Sequence, residues 1–229
     1  KSLSVAALKD RGFEKIPSYG VEPIDVPGAV AGWMTLHERF GKLPLEEVMA
    51  PAIRYAEKGY PVTPNISRLW QEAFENYSKY RDRPEFQGWF DTFAPNNTWL
   101  KPGEMFRCPD MAKTLKEIAA TKGEAFYRGA IAEKIDAFFK KHNGFLTKED
   151  LAAFKPEWVD PISVNYHGVD VWELPPNGHG ITVLMALQIL KDMNLAERDC
   201  ADTMHKQIEA MKLAMVDTAE YVAEPSFMR

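Results

Sequence analysis

Cysteine is scarce in this chain of 229 residues: only Cys108 and Cys200 are present, far apart and at no metal-ligand spacing. They exclude a Cys-x-x-Cys site and read as two buried free thiols, with a single disulfide between them left open. Long apolar runs are missing as well. The longest, residues 181–190, is too short for a bilayer and is interrupted by Gln188, so no membrane partner is expected. Positive charge is nowhere concentrated. The 28 Lys and Arg face 33 Asp and Glu for a formal charge of -5, and no basic run or basic-aromatic stripe offers nucleic acid a surface. The motifs of common catalytic sites are lacking too: no His-Glu-x-x-His, no Gly-x-Ser-x-Gly elbow, no phosphate-cradling P-loop. His37, His142, His167, His179 and His205 are scattered, and none pairs with another at ligand spacing. Neither a metal nor a cofactor is expected. No leader is visible in Lys1-Ser2-Leu3-Ser4, and without an initiator Met the compartment stays open.

What the chain does contain is mainly helical pattern. Residues 30–40 follow a Pro-Gly turn, and Pro44 suits the first turn of a helix over 45–58 that Gly59 stops. A further helix is predicted over 65–80. From 82 to 109 the periodicity fades into a long loop or irregular hairpin. Helices resume over 111–120 and 125–141, the second with Ile131, Ile135, Phe138 and Phe139 as its apolar stripe. Thr147 and Asp150 fit the N-cap and N3 positions of a short helix ending near Phe154. Over 201–222, Met204, Ile208, Met211 and Met215 fall at helical spacing and read as core.

Two strands stand out, 162–166 and 169–174, joined by a His167-Gly168 turn. A lone two-stranded hairpin is marginal in water, so its sheet partners are expected in polypeptide beyond these residues.

One segment has the grammar of a site: a strand, then Pro175-Pro176-Asn177-Gly178-His179-Gly180, then a helix. Backbone N–H groups at such a helix start can bind an anion or stabilise an oxyanion, and Gly178 and Gly180 allow close approach. The alternative is a tight turn that merely caps the helix. A dinucleotide fingerprint is rejected, because its third glycine would stand where Val183 is. His179 lacks a carboxylate in sequence to orient it as a base. Arg54 and Arg128 could each hold a carboxylate, but arginines on helices are commonly solvated or ion-paired.

The order of short motifs is more specific than any one of them. Val26-Pro27-Gly28-Ala29-Val30-Ala31-Gly32 is followed by Phe40-Gly41-Lys42-Leu43-Pro44 and by Ala50-Pro51-Ala52-Ile53-Arg54-Tyr55-Ala56-Glu57-Lys58-Gly59-Tyr60-Pro61-Val62. Then come Ala125-Phe126-Tyr127-Arg128-Gly129, Gly144-Phe145-Leu146-Thr147-Lys148-Glu149-Asp150-Leu151 and Leu174-Pro175-Pro176-Asn177-Gly178-His179-Gly180. Together they resemble the γ-glutamyltranspeptidase family of autoprocessed amidohydrolases, over about residues 21–227. Near the end, Ala219-Glu220-Tyr221-Val222-Ala223-Glu224-Pro225-Ser226-Phe227 resembles a family element, with Glu220, Ala223 and Glu224 standing where Arg, Gly and Asp are usual.

The resemblance implies an α+β fold: a mostly helical fragment with one β-hairpin, part of the αββα sandwich of N-terminal-nucleophile hydrolases. Residues 1–229 would be a single partial domain, most of a large subunit, partnered by the small subunit of the same precursor. The family nucleophile is the first Thr of that small subunit, with its own α-amine as base. That Thr would lie downstream of Arg229, and the Arg that grips a γ-glutamyl carboxylate would lie upstream of the Val-Pro-Gly turn. Arg11 is not in the matching context, and Thr203 and Thr218 sit inside a predicted helix. No catalytic residue is therefore assigned. Asn177, Gly178, His179 and Gly180 are the candidate contacts to a small-molecule amide or γ-glutamyl substrate, or to the small subunit.

The loop is closer to the Asn-Gly-Gln-Gly form of acylase-like and small-amide-hydrolysing relatives than to the Pro-Pro-Pro-Ser-Ser-Gly-Gly of transpeptidases. Two other classes remain: a non-catalytic scaffold, and an unrelated helical enzyme with an anion site at Gly178–Gly180.

Overall fold

A computed structural model describes residues 3–195 and 197–228. Contacts divide the chain into two compact units, Lys1–Pro156 and Glu157–Arg229. Helix predominates in both, with a two-stranded antiparallel sheet in each.

The first unit runs α1 (Val5–Asp10), α2 (Ala29–Phe40), α3 (Leu45–Lys58), β1 (Tyr60–Pro61), α4 (Pro64–Tyr77), α5 (Gln87–Phe93), β2 (Met105–Phe106), α6 (Pro109–Thr121), α7 (Glu124–Arg128), α8 (Ala130–Lys141) and α9 (Lys148–Ala153). Local chemistry sets most boundaries. Thr63 caps α4 by accepting the Ile66 N–H at 3.3 Å, and Pro64 occupies the first turn, where no N–H is missed. Pro44 is the N-cap of α3 rather than a first-turn residue. Lys122 and Gly123, both left-handed, end α6, and the Gly123 N–H returns to Ile118 O at 2.9 Å. The helix expected over 125–141 is two helices, broken at Gly129, whose backbone is extended and which starts α8. At α9, Thr147 and Asp150 form the reciprocal capping box.

Two cores hold this unit. Val30, Leu45, Met49, Ile118, Tyr127, Ile131, Phe139, Leu146 and Leu151 form the larger. The smaller is aromatic: Phe86, Phe90 and Ala94, with Phe74, Tyr77, Tyr80 and Trp89 packed on it. It occupies the stretch expected to be a loop. Phe86, Trp89, Phe90 and Phe93 are spaced as one helix face, a pattern that the neighbouring prolines and asparagines hide. β2 also pairs with β1 through Tyr60–Phe106 and Pro61–Met105, a second small sheet that the sequence did not suggest.

The second unit comprises β3 (Ile162–Tyr166), β4 (Val169–Glu173), α10 (Gly180–Leu190) and α11 (Ala201–Tyr221). The hairpin pairs Val164 with Val171, and His167 and Gly168 both have positive φ, as a two-residue turn requires. Asn165 braces it, accepting the Gly168 N–H at 3.1 Å and donating to Asp170 at 2.7 Å. α11 corrects the sequence reading. Its buried face is Thr203, Ala210, Ala214 and Thr218, whereas Met204, Ile208 and Met215 are more than half exposed. Small residues let two helices approach closely, so the methionine stripe faces outward. Both cysteines are free and half-buried, not buried.

Candidate functional site

β4 delivers the chain to the candidate loop at Glu173, and α10 takes it up at Gly180. Between them Pro175 and Pro176 are half-buried, while Asn177, Gly178 and His179 are exposed. The Pro176–Asn177 peptide is cis. His179 is the N-cap of α10, with its carbonyl accepting the Thr182 N–H at 3.0 Å and no side-chain cap. Among the described residues no hydrogen bond or ion pair is made by the His179 ring.

The two glycines differ in what they permit. A Cβ on Gly178 would meet nothing within 4 Å. A Cβ on Gly180 would collide with Glu173: its Cβ and Cδ lie 2.9 Å from that position, and its Oε2 is closer still. Gly180 therefore makes room for the chain's own carboxylate. Glu173 thereby brings a carboxylate to the start of α10, the end of a helix that favours negative charge. This is the site residue that sequence reasoning missed; its signal was only that it ends the strand feeding the loop.

An open apolar groove of about 410 Å³ runs beside the loop's helix, lined by Ile162, Val164, Ile181, Met185, Gln188 and Asp217 among others. Exposed loop atoms, a glycine packed on a carboxylate and an adjoining groove can contact a ligand. None supplies a nucleophile.

The other motif residues have structural partners. Tyr127 donates its hydroxyl to Pro27 O at 2.7 Å and accepts the Ala31 N–H at 3.0 Å, clamping the Val-Pro-Gly turn. Gly28 lies against the Phe154 ring. Arg128 pairs with Glu124 at 3.0 Å, and the Arg54 guanidinium lies over the Tyr55 ring. Arg11 donates to Asn143 O at 2.6 Å and stacks on Phe145. Among the described residues no group of three or more His, Cys, Asp or Glu side chains could hold a metal ion.

A family model, gamma-glutamyltranspeptidase, matches residues 2–229. The glutathione hydrolase proenzyme of Pseudomonas aeruginosa is 32% identical over 229 residues, covering 97% of this chain and 39% of that protein. The acylase ACY 1 proenzyme of Pseudomonas sp. strain V22 is 32% identical over 213 residues, 92% of this chain and 37% of that one. A crystal structure of cephalosporin acylase from Bacillus halodurans superposes with a TM-score of 0.96 at 51% identity, over 99% of this chain and 42% of that chain. The chain thus spans about two fifths of the length of these relatives.

Proposed function

Because the chain belongs to the γ-glutamyltranspeptidase family, matched from residue 2 to residue 229, we propose that it is the large-subunit portion of an autoprocessed amide hydrolase. Residues 1–229 are then one partial domain, and the β3–β4 hairpin joins the sheets of an αββα sandwich. The nucleophile is a Thr of the partner subunit, activated by its own α-amine. This chain contributes the substrate-facing loop Asn177-Gly178-His179-Gly180 and no catalytic group, so residues 1–229 alone turn over no amide.

The observation that carries the reading is the family match along the whole chain; the relatives quoted are proenzymes by name. Within the family, the substrate is an acyl amide other than glutathione. The Asn-Gly-His-Gly loop supports this, as does 51% identity to a protein described as a cephalosporin acylase. The second reading is γ-glutamyl transfer, favoured by the glutathione hydrolase relative.

The test is to compare the full-length protein on γ-glutamyl-p-nitroanilide and glutaryl-p-nitroanilide, which differ by one α-amino group. Faster release from the glutaryl compound, with no stimulation by an acceptor dipeptide, is expected. Preference for the γ-glutamyl compound with acceptor stimulation would replace this reading by transfer. No release from either would point to a scaffold.

A further inference from the structure

α10 carries a hydroxyl two residues past its first residue, in a helix whose one other polar side chain is Gln188. Thr182 Oγ1 lies 2.8 Å from Thr218 Oγ1 of α11, and the two residues are only 7% and 5% exposed. The direction of this bond follows from a second one. Thr218 Oγ1 donates to Ala214 O at 2.7 Å, which uses its single proton. Thr182 must therefore donate to Thr218, and the relay runs one way, from Thr182 through Thr218 to the α11 backbone.

A buried hydroxyl pair costs desolvation that an apolar pair would not. What it adds is direction, because a hydrogen bond fixes the rotation of a helix turn more narrowly than contact between methyl groups does. The turn so fixed is the first turn of α10, which residues 177–180 lead into. Glu173, at the end of β4, packs against Gly180 in the same turn. The loop therefore joins a turn held from α11 and from the end of β4.

We propose that Thr218 is a positioning residue: acting through Thr182, it sets the first turn of α10 and with it the substrate-facing loop. The proposal rests on the reading that residues 177–180 contact the amide substrate. It also gives Thr218 a task other than nucleophilic attack.

The test uses the full-length protein with glutaryl-p-nitroanilide as probe, measuring Tm, KM and kcat. Thr218→Val strands the Thr182 donor, whereas Thr182→Val leaves Thr218 bonded to Ala214 O. The first should therefore lower Tm more than the second, and the double variant, free of stranded groups, should regain Tm. KM should rise about tenfold in Thr218→Val, the equilibrium factor for one lost buried hydrogen bond, and should stay raised in the double variant. Thr218→Ser, which keeps the hydroxyl, should restore both. A double variant whose KM recovers together with Tm would overturn the proposal, leaving the hydroxyls as stabilisers of the helix pair. Asn177→Ala separates the two layers. If it leaves KM unchanged, the substrate-loop reading fails; if it raises KM while the threonine double variant does not, only the positioning role fails.

Discussion

At the scale of single residues, Tyr127 couples a helix to a turn far away in sequence. Its hydroxyl satisfies both Pro27 O and the Ala31 N–H, and its ring stacks on Phe154 with centroids 5.7 Å apart. Burial raises its phenol pKa, so the hydroxyl stays protonated and able to donate. Tyr127→Phe should cost about 1–2 kcal/mol, read by urea denaturation, because it leaves both backbone groups short of a partner. Asp136 works by charge. The buried carboxylate accepts from Lys140 Nζ at 2.6 Å and from the Lys148 N–H at 3.1 Å, and the Lys140 bond chiefly holds its pKa below the usual carboxylate value. A folded-state pKa below the unfolded one, about 4, stabilises fully above that pH. The stabilisation is lost as pH falls through the lower folded value. Asp136→Asn should therefore lower Tm at pH 7 and flatten the fall of Tm below about pH 4; equal lowering at pH 7 and pH 3 would contradict this.

At the scale of elements, short-range chemistry was legible in the sequence and side-chain packing was not. The capping box of α9 follows from Thr147 and Asp150 alone, and Thr147→Ala should cost about 1 kcal/mol of stability. The β3–β4 hairpin was equally plain, because alternation and a His-Gly turn agree. α5 was missed since its four aromatics sit among prolines and asparagines, and only the packing of Phe86 and Phe90 against α4 shows why it is helical. α11 misled for the opposite reason. Its methionines have helical period, yet the helix turns its small residues inward, a choice made by the close approach of α10. In the 229-residue chain, Ala214→Leu should cost about 1–3 kcal/mol by overpacking, and Met215→Ser less than about 0.5 kcal/mol. Matched denaturation curves would check the pair, and the reverse order would put the methionine face in the core. For the candidate site, sequence located the loop but not its occupant. Nothing before the structure indicated that Gly180 packs on the Glu173 side chain.

At the scale of the whole molecule, broad apolar surfaces remain on both units. On α2, Trp33, Leu36 and Phe40 are 48%, 52% and 62% exposed along one face, and α11 exposes its methionine stripe. Exposed apolar faces of this kind mark interaction sites. Under the proposed function these faces are covered by the rest of the proenzyme, and the β3–β4 hairpin finds its sheet there. The central claim is that this chain belongs to one product of a precursor that cuts itself to expose a Thr nucleophile. The most direct measurement is to incubate the purified full-length precursor, separate it on a denaturing gel and sequence the N-terminus of each band. The account predicts two bands, the smaller beginning with Thr. A single uncut chain, or a smaller band that starts with a residue unable to act as nucleophile, would contradict it.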